Sequence, residues 1–465
     1  MQRFRKFSAS LFWPYVAIIV LAPLPFGGVH SLSQAFFATC FLLLAFLWNL
    51  GQAFVFTGTR ADLRRIWPEA VCFTLVLGWI GLQASPILSE FGGNPLWWEV
   101  TATLGTAPDP GALTLARSSA IESLLRLATY GAVFWLAFQF GQEQRYAKWL
   151  LMAVVISGTV YAVYGLVVHW GGFDRVLWVE HTVTRRDLSA TLINRNSYAT
   201  LAGLSLLCAI GLYQASLQRG LESKRTGRDR LGFLLHHAFS KGAVMLTSIL
   251  VLLTALFLTH SRAGVTSGLI GLFCLMYLAN VRWREKGWIS RCLALCLPVG
   301  LLAAYLLSGE GWQHRLLGTD LEKEGRLVMY QQVWQAIQAA PWNGYGAGSF
   351  ASVFPMFADE LTSHWDKAHN DWLETLFDLG WPAGLLWFAM LFSLSFRCLA
   401  GAFRRKRDRV YSMVGCSAGL LVGLHSFVDF SLQIPAVAIT FAVLLGVGVG
   451  QSWSSQKTSA GYRAI

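Results

Sequence analysis

The sequence predicts an all-α integral membrane protein with about 12 transmembrane helices and one large outer loop containing short amphipathic helices. Three observations carry this expectation. Of 465 residues, 55% are hydrophobic and only 13% charged, about half the charged fraction of a typical soluble domain. The apolar residues gather into windows of about 20, the length that crosses a bilayer core. The basic surplus, 37 Lys and Arg against 25 acids for a net charge of +12, falls mostly between alternate windows. That is the pattern of membrane topology and not of a nucleic-acid groove. A soluble enzyme is excluded, and no nucleic-acid partner is expected.

Taken in order, the windows lie near 11–28, 33–56, 69–87, 122–141, 149–170, 197–216, 242–260, 264–281, 292–308, 376–396, 411–430 and 435–452. The first follows Arg3, Arg5 and Lys6 as a signal peptide would, but no small-residue cleavage site follows and a second apolar run begins at Gln34. It reads as an uncleaved first span. Basic residues then mark every second connection: Arg60, Arg64 and Arg65; Arg145 and Lys148; the run from Arg219 to Lys241; Arg282, Arg284, Lys286 and Arg291; the run from Arg397 to Arg409; and Lys457 with Arg463. The positive-inside rule places both termini in the cytoplasm, and the same charges suit contact with anionic membrane lipids. The eight cysteines sit within or at the ends of apolar windows, which argues against a disulfide framework or a thiolate metal site.

The organisation that follows has four parts. Residues 1–190 form N-terminal spans, about five, with two outer loops. Residues 191–308 form core spans carrying Arg195 and Arg262, residues 309–375 the large outer loop, and residues 376–465 the C-terminal spans and a cytoplasmic tail. Outer segments near 88–121, 171–196 and 309–375 are too long for turns, and function is expected there. In the longest, Leu327, Tyr330, Val333, Trp334 and Ile337 recur at helical spacing between Arg326 and Ala340, with Pro341 ending the run. This predicts an amphipathic helix lying on the membrane surface. Arg326 would begin it, where a cation opposes the helix dipole, so a role other than helix stability is expected.

Candidate chemistry lies at the outer ends of the windows. Arg262, in Thr259-His260-Ser261-Arg262-Ala263-Gly264, is costly if it faces lipid, about 2.5–3.5 kcal/mol at a helix centre. It reads either as a side chain snorkelling to headgroups or as a planar fork facing a phosphate. His369-Asn370-Asp371 closes the large loop, and Asn370 and Glu374 are one helical turn apart and can share a face. A histidine there is either a surface or capping residue, or a base whose ordinary pKa of about 6.5 suits proton abstraction. Arg185, Arg186 and Arg195 put three cations before the sixth window, with Asn194 and Asn196 beside them. His425 and Asp429, four apart, can orient each other or simply neutralise each other. The run Asn343-Gly344-Tyr345-Gly346-Ala347-Gly348 follows a helix and not a strand, so it reads as a flexible turn and not a phosphate loop. No Asp-x-Asp occurs, and Asp320-Leu321-Glu322 with Glu324 reads as solvated loop. No metal and no cofactor is therefore expected, with cationic side chains in a metal's place.

In chain order, several motifs resemble the bacterial O-antigen ligase and O-antigen polymerase superfamily over about residues 190–436. They are Asn194-Arg195-Asn196-Ser197-Tyr198-Ala199; Ser261-Arg262-Ala263-Gly264; Arg326 with Trp334, Pro341 and Gly344-Tyr345-Gly346; His369-Asn370 with Leu373-Glu374 and Gly380; and His425-Ser426 with Asp429 and Pro435. The resemblance implies a twelve-span fold of the bacterial inner membrane with a large periplasmic loop. It also implies metal-independent, inverting transfer of a glycan from undecaprenyl diphosphate to an acceptor hydroxyl on lipid A-core or a growing polysaccharide. It carries the general-base role to His369 and diphosphate binding to Arg262 and Arg326. Arg186, Arg195, Asn196, Asn370, Glu374, His425 and Asp429 become substrate-binding candidates. Ligase and polymerase both remain open, as does the oligomeric state. A polytopic transporter is the alternative from another class, although such carriers hold ionisable residues at the bilayer midplane on broken helices.

Overall fold

The computed structural model describes residues 2–54, 63–88, 96–105, 111–180, 187–192, 194–221, 227–240, 242–281, 296, 298–301, 321–360 and 362–453. The architecture is helical: α1 (Gln2–Leu21), α2 (Ser31–Phe54), α3 (Trp67–Ala84), α4 (Leu96–Leu104), α5 (Arg117–Gly141), α6 (Gln144–Gly171), α7 (Arg195–Leu221), α8 (Gly227–Phe239), α9 (Ala243–Leu258), α10 (Arg262–Asn280), α11 (Leu321–Ala339), α12 (Phe350–Val353), α13 (Asp371–Arg404), α14 (Val410–His425) and α15 (Pro435–Gly450). One small antiparallel hairpin, β1 (Arg175–Val176) with β2 (Val179–Glu180), follows α6.

Among the described residues, six helices are long and apolar enough to cross a membrane: α2, α5, α6, α7, α10 and α13. The α8–α9 pair, bent by 66°, makes up to seven if it counts as one span, and three further apolar helices, in α1, α14 and α15, are shorter. Eleven of the twelve apolar windows fall on a helix; the window at 292–308 lies largely outside the described residues. The protein is an all-α membrane protein whose helices surround α15, of which every residue is buried.

Helix starts follow local chemistry. Ser261 caps α10 by accepting from the Gly264 amide at 3.2 Å, and Asn370 caps α13 by accepting from the Leu373 amide at 3.0 Å. The basic run after the tenth window does more than mark topology. Arg405 donates to the Gln451 and Trp453 carbonyls at 2.9 and 3.0 Å, and Arg409 donates to Leu278 and Ala402 at 2.7 and 2.9 Å. The last carbonyls of α10 and α13, which a helix leaves without internal partners, are satisfied in this way. Arg397 lies within α13 and pairs through two nitrogens with Glu69 of α3, a buried carboxylate.

Two expectations for the large loop are corrected. First, α11 begins at Leu321, so Arg326 lies in its second turn and the dipole reasoning does not apply to it. The helix buries Met329, Val333, Ala336 and Ile337 against Phe350, Phe354, Leu376 and Phe377, while Leu327 and Trp334 are exposed. Its buried apolar stripe therefore packs on protein.

Second, the glycine-rich run is a docked loop and not a flexible turn. α13 breaks at Gly380 (φ +72°), two residues before Pro382. The break strands carbonyls that would accept from residues 381 to 383, and Pro382 has no N–H to give. Tyr345 N–H instead donates to Phe377 O at 2.9 Å, and Gly346 N–H to Asp378 O at 2.9 Å. From α3, the Gln83 amide reaches Asp378 O at 3.0 Å and the Trp79 indole reaches Leu379 O at 3.0 Å. Trp381 N–H turns to Pro341 O at 2.8 Å.

A Cβ on Gly380 would meet Trp342 O at 2.5 Å, and the backbone there is left-handed. Gly380→Val is therefore expected to cost at least about 1–3 kcal/mol. Thermal unfolding in detergent reads this, and an unchanged midpoint would show that glycine is not what permits the break.

Candidate functional site

The site forms where the large loop enters α13. His369 immediately precedes the capping Asn370, with left-handed backbone (φ +46°). The turn is latched by Glu374, buried in the first turn of the helix, which accepts from the Ala368 amide at 2.9 Å and faces Lys367 Nζ at 3.7 Å. Asn370 and Glu374 are thus engaged in shaping the turn that presents His369. Asp371 fixes the other side by accepting from Ser426 Oγ at 3.0 Å and the Leu432 amide at 3.3 Å. From α11, the Tyr330 hydroxyl donates to the His369 carbonyl at 3.0 Å.

The His369 ring meets Trp365 and Phe430 edge-on, at centroid distances of 5.0 and 4.8 Å. Its Nδ1 lies 3.9 Å from Asp429 Oδ1. Asp429 is fully buried and accepts from Asn196 Nδ2 at 3.3 Å and from Ser431 Oγ. His425 is the last residue of α14 and is joined to Asp429 through Ser431, not directly. Its Nδ1 lies 2.6 Å from Thr200 Oγ1 and 3.3 Å from Ser431 Oγ. The Arg326 guanidinium stands over the Trp365 ring at 5.9 Å, so Arg326 and His369 both contact one indole. Burial pushes the Tyr330 phenol above its ordinary pKa; the Arg326 cation opposes this shift and the Asp429 carboxylate adds to it.

A second cluster adjoins the first through α7. Arg195, next to Asn196, pairs with Asp187 at 2.5 Å, and the other oxygen of Asp187 lies 2.9 Å from His260 Nδ1. Arg262 follows two residues later as the first residue of α10 and is exposed. Arg186, with Arg185, lies outside the described residues. The structure thus brings Arg195, Asn196, His425, Asp429 and His369 into one contact network, with Arg326 reaching it through Trp365 and Arg262 standing beside the Asp187 cluster.

Sequence reasoning missed Asp187, Thr200, Ser431 and Trp365 as members. An acid among Arg185, Arg186 and Arg195 was a usable signal for Asp187; the other three carried none. Among the described residues, no three His, Cys, Asp or Glu side chains form a group that could hold a metal ion.

An apolar helical bundle carrying, at one end, an imidazole against a buried carboxylate with arginines around it defines a polytopic membrane protein with a site suited to an anionic substrate. Residues 247–388 match the family model described as O-Antigen ligase. Over 212 residues the chain is 26% identical to the General O-oligosaccharyltransferase of Acinetobacter baylyi (strain ATCC 33305 / BD413 / ADP1), covering 42% of this chain and 35% of that protein. The match thus spans about a third of the length of that relative. Both findings support a likeness to the O-antigen ligase superfamily over part of the chain. Arg262, Arg326 and His369 fall inside the matched range, and Arg195, Asn196, His425 and Asp429 fall outside it.

Proposed function

We propose that the protein is a ligase-like glycosyltransferase that moves a glycan from undecaprenyl diphosphate to an acceptor hydroxyl, on lipid A-core or on a growing polysaccharide. In this reading about twelve spans lie in the bacterial inner membrane with both termini cytoplasmic, and residues 309–375 and the site face the periplasm. The observation that carries it is that His369 and Arg326 both contact Trp365, with Asp429 3.9 Å from Nδ1 of His369.

With Nδ1 turned to Asp429, Nε2 of His369 is the nitrogen that takes the acceptor proton. The acceptor oxygen forms its bond to the anomeric carbon as the bond to the diphosphate breaks, and the electron pair departs with the diphosphate. A diphosphate leaves without a proton, so one base suffices, and a single displacement inverts the anomeric centre. Asp429, 3.9 Å from Nδ1, stabilises the imidazolium that forms through its charge. Arg262 and Arg326 bind the diphosphate and stabilise its growing charge, with Arg195 and Asn196 completing that wall. Asn370, Glu374 and His425 act on substrate through the shape they give the site. The same residues serve a ligase or a polymerase.

The test is transfer from a synthetic undecaprenyl-diphosphate glycan by protein in proteoliposomes, with counterflow of the same glycan as the comparison. Counterflow without transfer would favour a transporter. Deletion in the native host sorts the acceptors: unattached O-chains point to a ligase and single-repeat chains to a polymerase. Because arginines supply the charge that a metal would, EDTA is expected to leave transfer unchanged. Loss restored by magnesium or manganese would overturn this and make Asp320, Glu322 and Glu324 candidate ligands.

A further inference from the structure

We infer that His260, held by Asp187, is a further residue binding the donor diphosphate, and that Asp187 positions it together with Arg195. This rests on the donor proposed above. Asp187 is a nearly buried carboxylate whose two oxygens are divided between Arg195 and His260, 73 positions from Asp187 in the chain. The Leu188 amide also donates to the Leu258 carbonyl at 2.9 Å, so the two segments are joined by backbone as well.

His260 repeats the arrangement at His369. Each has left-handed backbone at a non-glycine residue, φ +49° and +46°. Each immediately precedes the capping residue of a helix, Ser261 or Asn370. Each turns Nδ1 to an aspartate on another segment, at 2.9 and 3.9 Å. Such backbone persists only where the surroundings impose it, and it clusters where groups must be held in place.

A purely structural clamp does not need this histidine. Its ring is 53% exposed, and Asp187 is already held by Arg195. Bonding of Nδ1 to a carboxylate does fix the ring's orientation and leaves Nε2 as the nitrogen that can face a ligand. Among the described residues, the charged side chains beside it are Asp187, with Arg195 on the same carboxylate, and Arg262 two positions on in the chain. A ring carrying protons on both nitrogens donates from Nε2 to an anionic oxygen, and the two arginines are drawn to the same anion. A diphosphate, with oxygens on two phosphorus atoms, matches three donors from two segments.

The experiment measures donor and acceptor KM separately in proteoliposomes with the synthetic undecaprenyl-diphosphate glycan. His260→Gly removes the ring at a position whose backbone glycine adopts without strain. It should raise donor KM about tenfold, the worth of one charge-assisted hydrogen bond, with acceptor KM and the thermal midpoint unchanged. Added imidazole should restore donor KM in His260→Gly but not in the Asp187→Asn/His260→Gly double variant, where nothing holds the free ring. Wild-type donor KM in His260→Gly would overturn the inference, as would equal changes in both KM values with a lowered midpoint. A wild-type protein that transfers nothing from this donor would overturn the functional proposal itself, and with it this one.

Discussion

His369→Ala should lower glycan transfer by about 10²–10⁴-fold, the usual contribution of a positioned general base, while the protein inserts and folds. Stability should survive because the partners of the lost ring keep other contacts. Buried Asp429 still accepts from Asn196 and Ser431, so no unpaired carboxylate is left behind. The turn is held by Asn370, Glu374 and Asp371, none of which uses the imidazole. Trp365 and Phe430 lose an edge-on neighbour, worth about 0.5–1.5 kcal/mol each. Turnover measured alongside thermal unfolding separates the two effects. Activity within tenfold of wild type would remove His369 from the base role.

Arg262→Lys should lower turnover about 10²–10³-fold, by analogy with removing one donor from an oxyanion site. Lysine keeps the charge but not the two-pronged geometry that matches phosphate oxygens. Position matters here. Arg262 is the first residue of α10, where the helix presents its partial positive end and a cation opposes it. Helix stability therefore does not explain the side chain, and its exposure leaves it open to a ligand. The dipole reasoning first applied to Arg326 belongs to Arg262. Full activity in Arg262→Lys would show a cation that only anchors a helix end among headgroups.

The parts of the fold written in local pattern were legible. Apolar windows fell on helices. The order of motifs from Asn194 to Pro435 pointed to the family that the comparisons support. What local pattern hid were pairings across distance. Asn196 and Asp429 are 233 positions apart, and no spacing rule relates them. The face of α11 was misread because the large apolar side chains Leu327 and Trp334 were assigned to the stripe, whereas Met329 and the small Ala336 are the residues that pack inside. Trp334 instead meets Trp381 edge-on at 5.8 Å while remaining partly exposed. The glycine-rich loop looked flexible because its partners, stranded carbonyls in a helix that was expected to be continuous, become visible only once the break at Gly380 is known.

That break also bears on how the site rides in a bilayer of varying thickness. An unbroken helix answers a thickness mismatch by tilting as a rod, and a rod of 34 residues would swing its upper end sideways and change its height. The upper part of α13 is joined to α3 through Gln83 and Trp79 and to the loop through Tyr345, Gly346 and Trp381. A tilt of the lower part must therefore drag a second helix and the loop with it, or bend at residue 380 and leave them where they are. Either way, the first turns of α13, which present His369, stay tied to α3 and to the loop by these bonds.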